Sequence, residues 1–120
     1  QALREALGDK RGIRRFGSAQ CPLDEALVNA VVDLSGRPFL AYNLEIKRAR
    51  VGTFDTELVH DFMLALSNEA KLTLHLHQVQ GRNAHHIIEA AFKSFARALD
   101  QAKQFDARVV GAPSTKGVLA

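Results

Sequence analysis

Residues 81–103 read GRNAHHIIEAAFKSFARALDQAK, and this stretch decides the fold. It predicts a helix, because apolar residues recur at steps of three and four and form one stripe that must be buried. Asn83 is a suitable N-cap, since its side-chain oxygen can accept a hydrogen bond from an amide of the first turn. The predicted buried stripe consists of Ile88, Ala91, Phe92, Phe95 and Leu99.

The first turn of this helix carries two histidines and a carboxylate, His85, His86 and Glu89. His85 and Glu89 are four residues apart and can therefore meet on the helix surface. Imidazole nitrogens and carboxylate oxygens are ligands for divalent first-row ions, which predicts half of a metal site. Adjacent side chains diverge by roughly 100° around a helix, so each histidine is expected to serve a different ion. The alternative is a solvated helix start with an ion pair between Glu89 and Lys93.

Composition limits the class of protein. With 120 residues, of which 47% are hydrophobic, the chain can build the core of one domain. No apolar run reaches the roughly 18 residues of a membrane span and no secretory signal pattern is present, so we expect no membrane partner. Cys21, the one cysteine, excludes an internal disulfide and fits a reducing, cytoplasmic compartment. The net charge of +3 allows anionic ligands but does not demand nucleic acid.

The first 17 residues are predicted to be a short helix followed by a basic loop. Residues 1–7 have helical spacing, and Gly8 can close the helix in a left-handed conformation. Two turns are marginal alone, so we expect the end of a longer helix whose upstream residues are missing. In residues 9–17, basic side chains form either a solvated cluster or an anion site, because guanidinium groups match phosphate oxygens. The basic residues are Lys10, Arg11, Arg14 and Arg15.

Two strands and a second helix are predicted in the middle of the chain. Residues 27–34 and 39–46 are rich in Val, Leu, Phe and Tyr, and the Ser-Gly-Arg-Pro turn between them predicts an antiparallel hairpin. Residues 54–70 then have helical spacing. The predicted buried face of that helix consists of Leu58, Val59, Phe62, Ala65 and Leu66.

A third strand and a polar tail complete the prediction. Residues 72–79, LTLHLHQV, alternate apolar and polar side chains, which predicts a strand with one wet face. His75 and His77 on that face are expected to be surface residues in preference to ligands. The tail, residues 105–120, can fold as a turn that offers amides, a hydroxyl and an ammonium to an anion, and the alternative is a frayed terminus. The turn residues are Pro113, Ser114, Lys116 and Gly117.

The predicted order is helix, two strands, helix, strand, helix, which is typical of an α+β fold. We expect an antiparallel-rich sheet with helices packed on one face. Three strands make a small sheet, which favours packing against another copy or against missing residues.

Several motifs cover nearly the whole chain: ALGDKRGIRRFG, LDEAL, VDLSGRPFL, YNLEI, VGTFDTELV, LTLHL, GRNAHHIIEAAFKSFARAL and PSTKGVL. Together they resemble the imidazoleglycerol-phosphate dehydratase family of histidine biosynthesis. The resemblance implies half-domains like domain 2 of ribosomal protein S5, duplicated in the family. It also implies a hydro-lyase that dehydrates imidazole glycerol phosphate to imidazole acetol phosphate. Two Mn²⁺ ions per site and a homo-oligomer of trimers assembling into a 24-mer are further implications.

The resemblance also divides the chain. Each family repeat carries an HHxxE motif, and residues 85–89 match the second. Residues 1–17 then correspond to the tail of the first repeat and residues 18–120 to the second repeat with its phosphate-binding tail, in one domain overall. Ligands of the first repeat are absent from this sequence, so the 120-residue chain alone is expected to be inactive.

Individual roles follow from the same resemblance. His85, His86 and Glu89 match the metal motif, and Glu89 is the predicted catalytic residue. Asp61 stands where many members have histidine and others a carboxylate, so it is expected to be a further ligand. The phosphate contacts of the family fall on Arg15, Arg37, Lys93, Ser114 and Lys116.

Two alternatives to the lyase remain. S5-like folds can bind RNA, and the loops here are basic, although the sequence offers no aromatic platform on which bases could stack. The other alternative is a catalytically incomplete fragment with a structural role.

Overall fold

A computed structural model of the protein describes residues 1–119. The helices are α1 (Ala2–Leu7), α2 (Glu57–Ala70) and α3 (Ala84–Lys103). The strands are β1 (Phe16–Leu23), β2 (Ala26–Asp33), β3 (Phe39–Asn43), β4 (Arg50–Val51), β5 (Phe54–Asp55) and β6 (Thr73–Gln80). Ala120, the last residue of the predicted tail, lies outside the described residues. In the described part of the chain, no helix is long and apolar enough to cross a membrane.

The main sheet has four strands in the order β1-β2-β6-β3. β2 is antiparallel to both of its neighbours, whereas β3 runs parallel to β6. β4 and β5 form a separate two-stranded ribbon before α2. Buried side chains lie on the face of the sheet that α2 and α3 cover. The predicted α+β architecture, an antiparallel-rich sheet with helices on one face, is confirmed.

The hairpin predicted from residues 27–34 and 39–46 is wrong. β6 lies between β2 and β3, so these two strands are not paired. The connection passes the start of β6, where the amide of Phe39 donates to the carbonyl of Leu72 at 3.1 Å. The apolar pattern of a strand shows which face is buried but does not identify its neighbour, and the tight turn suggested the wrong one.

β1 was not predicted from the sequence. Gly17 and Pro22 both lower strand propensity. Pro22 is tolerated because β1 is an edge strand of the main sheet, where one side needs no ladder hydrogen bond. β1 forms the true hairpin with β2, in register from Phe16 opposite Asp33 to Leu23 opposite Ala26.

α3 packs its small side chains against the centre of the sheet. Asn83 caps it as predicted, its side chain accepting from the amide of His86 at 3.2 Å. Ala91 and Phe95 are buried as predicted, whereas Ile88, Phe92 and Leu99 are half-buried. The centre of the buried stripe is therefore rotated from the predicted one. It consists of Ala84, Ile87, Ala90, Ala91, Ser94, Phe95, Ala98 and Ala102.

The predicted buried face of α2 is only partly right. Val59 is buried and Leu66 half-buried, but Leu58 and Phe62 are 50% and 49% exposed. Ala65 is also exposed. The buried positions besides Val59 are Met63, Ser67 and Ala70. α2 lies beside the edge strand β3, so the helix covers little of the sheet and its larger apolar side chains remain at the surface.

β1 and α3 approach each other closely at Gly17. A Cβ atom there would lie 1.9 Å from the carbonyl oxygen of Ala98. The approach brings the chain just before Gly17 to the end of α3, where the amide of Arg15 donates to the carbonyl of Ala102 at 2.9 Å. Glycine at this position thus sets the location of the basic loop.

The predicted cap of α1 is corrected in detail. Gly8 has a positive φ of 56°, but its ψ of −129° lies outside the left-handed helical region. The amide of Gly8 donates to the carbonyl of Glu5 at 3.2 Å, so the glycine still closes the helix.

Candidate functional site

The first turn of α3 holds the predicted row of charged groups. The Nε2 of His85 lies 3.0 Å from an Oε2 of Glu89, and the Nζ of Lys93 lies 2.9 Å from the other carboxylate oxygen. Both the predicted histidine–carboxylate pair and the alternative ion pair are therefore present. The Lys93 ammonium, and after it His85, lowers the pKa of Glu89, so this carboxylate is ionised at neutral pH.

His86 turns away from that row. The ring centroids of His85 and His86 are 6.1 Å apart and their planes differ by 63°. The Nδ1 of His86 lies 2.5 Å from Glu25 in the β1–β2 turn. Its Nε2 lies 3.7 Å from a carboxylate oxygen of Asp24, which is beyond hydrogen-bonding distance. The two imidazoles thus diverge as predicted, and each faces a different carboxylate.

Glu25 is a member of this cluster that sequence reasoning did not select. Its second carboxylate oxygen accepts from the amides of Arg82 and Asn83, at 2.7 and 3.0 Å. Hydrogen bonds from His86 and from these two amides lower the pKa of Glu25 to about 2. The sequence signal was weak, because a carboxylate in a turn is ordinarily solvated and its partners lie about sixty residues away.

The side chains at the start of α3 fit Mn²⁺ only as two incomplete coordination shells. Imidazole and carboxylate ligands suit the metal, but residues 1–119 contain no group of three such side chains around one position. Asp61, the further predicted ligand, lies on α2 with its side chain 71% exposed, 3.6 Å from His60. It does not join His85, His86 and Glu89. A complete shell would therefore need donors from another chain or segment.

A second site lies at the opposite end of α3. A cavity of about 760 Å³ is lined by residues from the basic loop, the β2–β3 connection and the tail. Four of the five predicted phosphate residues line it: Arg15, Arg37, Ser114 and Lys116. We call this cavity the anion pocket.

Backbone pairing brings the tail to the anion pocket. The amide of Gly12 donates to the carbonyl of Gly111, and the amide of Asp106 to the carbonyl of Gly12, each at 2.8 Å. The amide of Arg14 donates to the carbonyl of Gln104 at 2.9 Å. The tail then turns at Ser114, whose hydroxyl accepts from the amide of Lys116 at 3.2 Å. The predicted turn is present and is tied to the basic loop.

Arg15 is held in place by two partners. Its Nε and one terminal nitrogen donate to the carboxylate of Asp33 at 2.7 and 3.2 Å. The other terminal nitrogen donates to the carbonyl of Pro113 at 3.0 Å, which links β2 to the tail. The backbone of Arg15 has a φ of 76°, a costly conformation for a residue with a side chain. Such strain is retained where the surroundings fix it, as these contacts do.

Arg37 is fixed through its backbone. Ser35 accepts from the amide of Arg37 at 3.1 Å, and Thr73 donates to its carbonyl at 3.1 Å. Ser35 is also within 3.3 Å of that carbonyl. The exposed guanidinium of Arg37 is thus carried on a rigid turn. Sequence reasoning missed Asp33, Ser35 and Thr73, because their partners lie on other segments.

Lys93, the fifth predicted phosphate residue, is not in the anion pocket. It lies in the middle of α3, where a separate hollow is lined by Gln20, Cys21, Pro22, Arg97 and other residues. Its ammonium pairs with Glu89. Within this chain Lys93 belongs with the metal-ligand candidates.

His75 and His77 lie on the open face of β6, and both are exposed. The ring of His75 packs against Phe39 with centroids 5.9 Å apart. Their placement agrees with the surface interpretation.

Comparison with known proteins gives one family. The family model described as imidazoleglycerol-phosphate dehydratase matches residues 1–99. The chain is 57% identical over 119 residues to the imidazoleglycerol-phosphate dehydratase of Bacillus subtilis, covering 99% of this chain and 61% of the relative. It is 57% identical over 119 residues to the chloroplastic enzyme of Pisum sativum, covering 98% of this chain and 42% of that relative.

Two solved structures with the same family name are similar to this chain. The imidazoleglycerol-phosphate dehydratase of Staphylococcus aureus superposes with a TM-score of 0.86 at 46% identity, over 88% of this chain and 62% of that one. The Pyrococcus furiosus enzyme gives 0.84 at 42% identity, over 98% of this chain and 64% of that one. The chain therefore spans roughly two fifths to two thirds of the length of these relatives. It belongs to the imidazoleglycerol-phosphate dehydratase family.

Proposed function

We propose that the chain forms part of a metal-dependent imidazoleglycerol-phosphate dehydratase, a carbon–oxygen lyase of histidine biosynthesis. The substrate would be imidazole glycerol phosphate and the product imidazole acetol phosphate. The anion pocket carries this proposal, because side chains from three distant segments line one cavity. A family name alone would not explain why the tail is tied to the basic loop at this point.

The anion pocket suits a phosphate monoester. Arg15 and Arg37 offer guanidinium groups, Lys116 an ammonium and Ser114 a hydroxyl. Charge-assisted hydrogen bonds from guanidinium groups to phosphate are among the stronger polar contacts in proteins. Anchoring the phosphate would orient the carbons that react.

His85, His86 and Glu89 would hold Mn²⁺, with Asp61 of another copy a candidate for completing a shell. When bound, the metal would supply positive charge that lowers the pKa of the groups it contacts. The dehydration breaks one C–H and one C–O bond and releases water. Glu89 is ionised, so one of its oxygens can accept the carbon-bound proton and pass it to the departing hydroxyl, which leaves as water while a carbon–carbon double bond forms. The resulting enol converts to the ketone of the product. The lowered pKa keeps the Glu89 carboxylate ionised, as a metal ligand must be.

We also propose a homo-oligomer, with the trimers and 24-mer expected from the family, in the cytoplasm. Phe54, Leu58 and Phe62 are 42%, 50% and 49% exposed. They lie on or just before α2, and the ring of Phe62 packs 5.5 Å from Phe92 of α3. Contiguous exposed apolar side chains favour a protein interface. The incomplete coordination shells at His85 and His86 also favour an oligomer, since an interface can supply the remaining metal ligands.

Binding of inorganic phosphate tests the anion pocket. Arg37→Ala is expected to weaken phosphate binding by about tenfold or more, the loss of one charge-assisted contact. Lys93→Ala is the matched control, since Lys93 lies outside the pocket and should leave phosphate affinity unchanged. Titration followed by ³¹P NMR measures both. Equal losses in the two variants would contradict the assignment of the phosphate to this cavity.

A hybrid enzyme tests the activity. The chain replaces the matching 119 residues of the Bacillus subtilis relative, and formation of imidazole acetol phosphate is measured with Mn²⁺. We expect activity within about tenfold of the parent, and loss of at least about a thousandfold with Glu89→Gln. The 120-residue chain alone should show little turnover. A folded, metal-loaded hybrid without activity would contradict the proposed function.

A further inference from the structure

Glu25 uses both carboxylate oxygens at the start of α3. One oxygen lies 2.5 Å from the Nδ1 of His86. The other accepts from the backbone amides of Arg82 and Asn83. The side chains of Glu25 and His86 are only 32% and 29% exposed, so they are partly shielded from water. The β1–β2 turn is thereby fastened to both the ring of His86 and the entry to α3.

We propose that Glu25 is a positioning residue that keeps the proton of neutral His86 on Nδ1 and so presents the lone pair of Nε2 to a divalent cation. This inference rests on the proposed metal-dependent function for the identity of the ligand. An ionised carboxylate only accepts hydrogen bonds, so the nitrogen facing it must carry the proton. A neutral imidazole carries one N–H, and the lone pair therefore lies on Nε2.

The surroundings of Nε2 are consistent with a cation position. Asp24 lies on that side of the ring, with its oxygen 3.7 Å from Nε2. This distance is too long for a hydrogen bond, and it places a second carboxylate near Nε2. A carboxylate behind a ligating histidine also raises the basicity of the ring and fixes its orientation. The Nε2 of His85, in contrast, lies against Glu89 directly.

Glu25→Gln separates this role from helix capping. The glutamine has one oxygen, which two backbone amides attract, so its NH₂ group would face His86. Since that group donates, Nδ1 would then have to accept, and the proton would move to Nε2. The substitution thus keeps the α3 entry bonds while reversing the tautomer. Glu69→Gln, an exposed carboxylate on α2, is the matched control.

Two readouts test the proposal. The first is the tautomer of His86 from ¹⁵N NMR of the metal-free protein, at a pH about two units above the ordinary histidine pKa of about 6.5. The second is Mn²⁺ affinity from EPR titration. We expect Nδ1–H in the wild type, Nε2–H in Glu25→Gln, and a 10- to 100-fold loss of Mn²⁺ affinity in that variant, about the usual effect of removing a ligand's hydrogen-bond partner. Glu69→Gln should match the wild type in both.

A double-mutant comparison shows whether Glu25 acts through His86. In a His86→Asn background, Glu25→Gln should cause no further loss of Mn²⁺ affinity. An Nε2–H tautomer in the wild type, or an equal loss in both backgrounds, would overturn the proposal. If the wild type bound no Mn²⁺, the metal-dependent function would fail, while the tautomers alone would still decide whether Glu25 positions His86.

Discussion

Replacing His85 or His86 with asparagine is expected to lower Mn²⁺ affinity by at least about 100-fold, more than the loss of a supporting hydrogen bond. Each imidazole faces its own side of α3, so the two losses should affect different ions. EPR titration measures affinity and stoichiometry. With the metal lost, assembly should also fail, and sedimentation of the oligomer measures this.

His77→Asn is the matched control for these variants, because His77 is exposed on the open face of β6. It should bind Mn²⁺ like the wild type. The far-UV circular dichroism of all three variants should be unchanged, since neither His85 nor His86 is buried in the core. Retained manganese and a normal oligomer in His85→Asn and His86→Asn would rule out these ligands.

Gly17→Ala is expected to lower the free energy of unfolding by about 3 kcal/mol or more. The added Cβ would meet the carbonyl oxygen of Ala98 at 1.9 Å and the amide nitrogen of Ala102 at 2.9 Å. Both are backbone atoms of α3 and cannot rotate away, so β1 or the helix must move. Urea denaturation followed by circular dichroism measures the loss.

Gly17→Ala should also weaken the binding of inorganic phosphate. Arg15 lies two residues before Gly17, so moving β1 away from α3 would also displace Arg15 from the anion pocket. Gly52→Ala is the control: its backbone has a φ of 61° but nothing lies within 4 Å of the added atom. Gly52→Ala should lower the free energy of unfolding by only about 1 kcal/mol, the cost of the backbone strain. A Gly17→Ala protein as stable as Gly52→Ala would show that β1 does not lie so close to α3.

The start of α3 was predictable from sequence because its determinants are local. The Asn83 cap, the four-residue spacing of His85 and Glu89, and the divergence of His85 and His86 all follow from helix geometry. Glu25 was not predictable in this way. Its role depends on the β1–β2 hairpin, and β1 carries Gly17 and Pro22 in place of a clear strand pattern.

The sheet order and the anion pocket depend on contacts between distant segments. The residue pattern of 27–34 and 39–46 predicts two strands there, but nothing in it predicts that β6 lies between them. From the sequence, the basic loop and the tail were each weak candidates for anion binding. Only the family resemblance placed both in one phosphate site. The supports of Arg15 and Arg37, which are Asp33, Ser35 and Thr73, require the three-dimensional structure.

Diffraction at the manganese absorption edge, from crystals grown with Mn²⁺ and imidazole glycerol phosphate, tests the central claim most directly. We predict an anomalous peak beside the Nε2 of His86, a second beside His85 and Glu89, and phosphate density between Arg37 and Lys116. Crystals saturated with both ligands that show no anomalous peak at either imidazole would contradict the account.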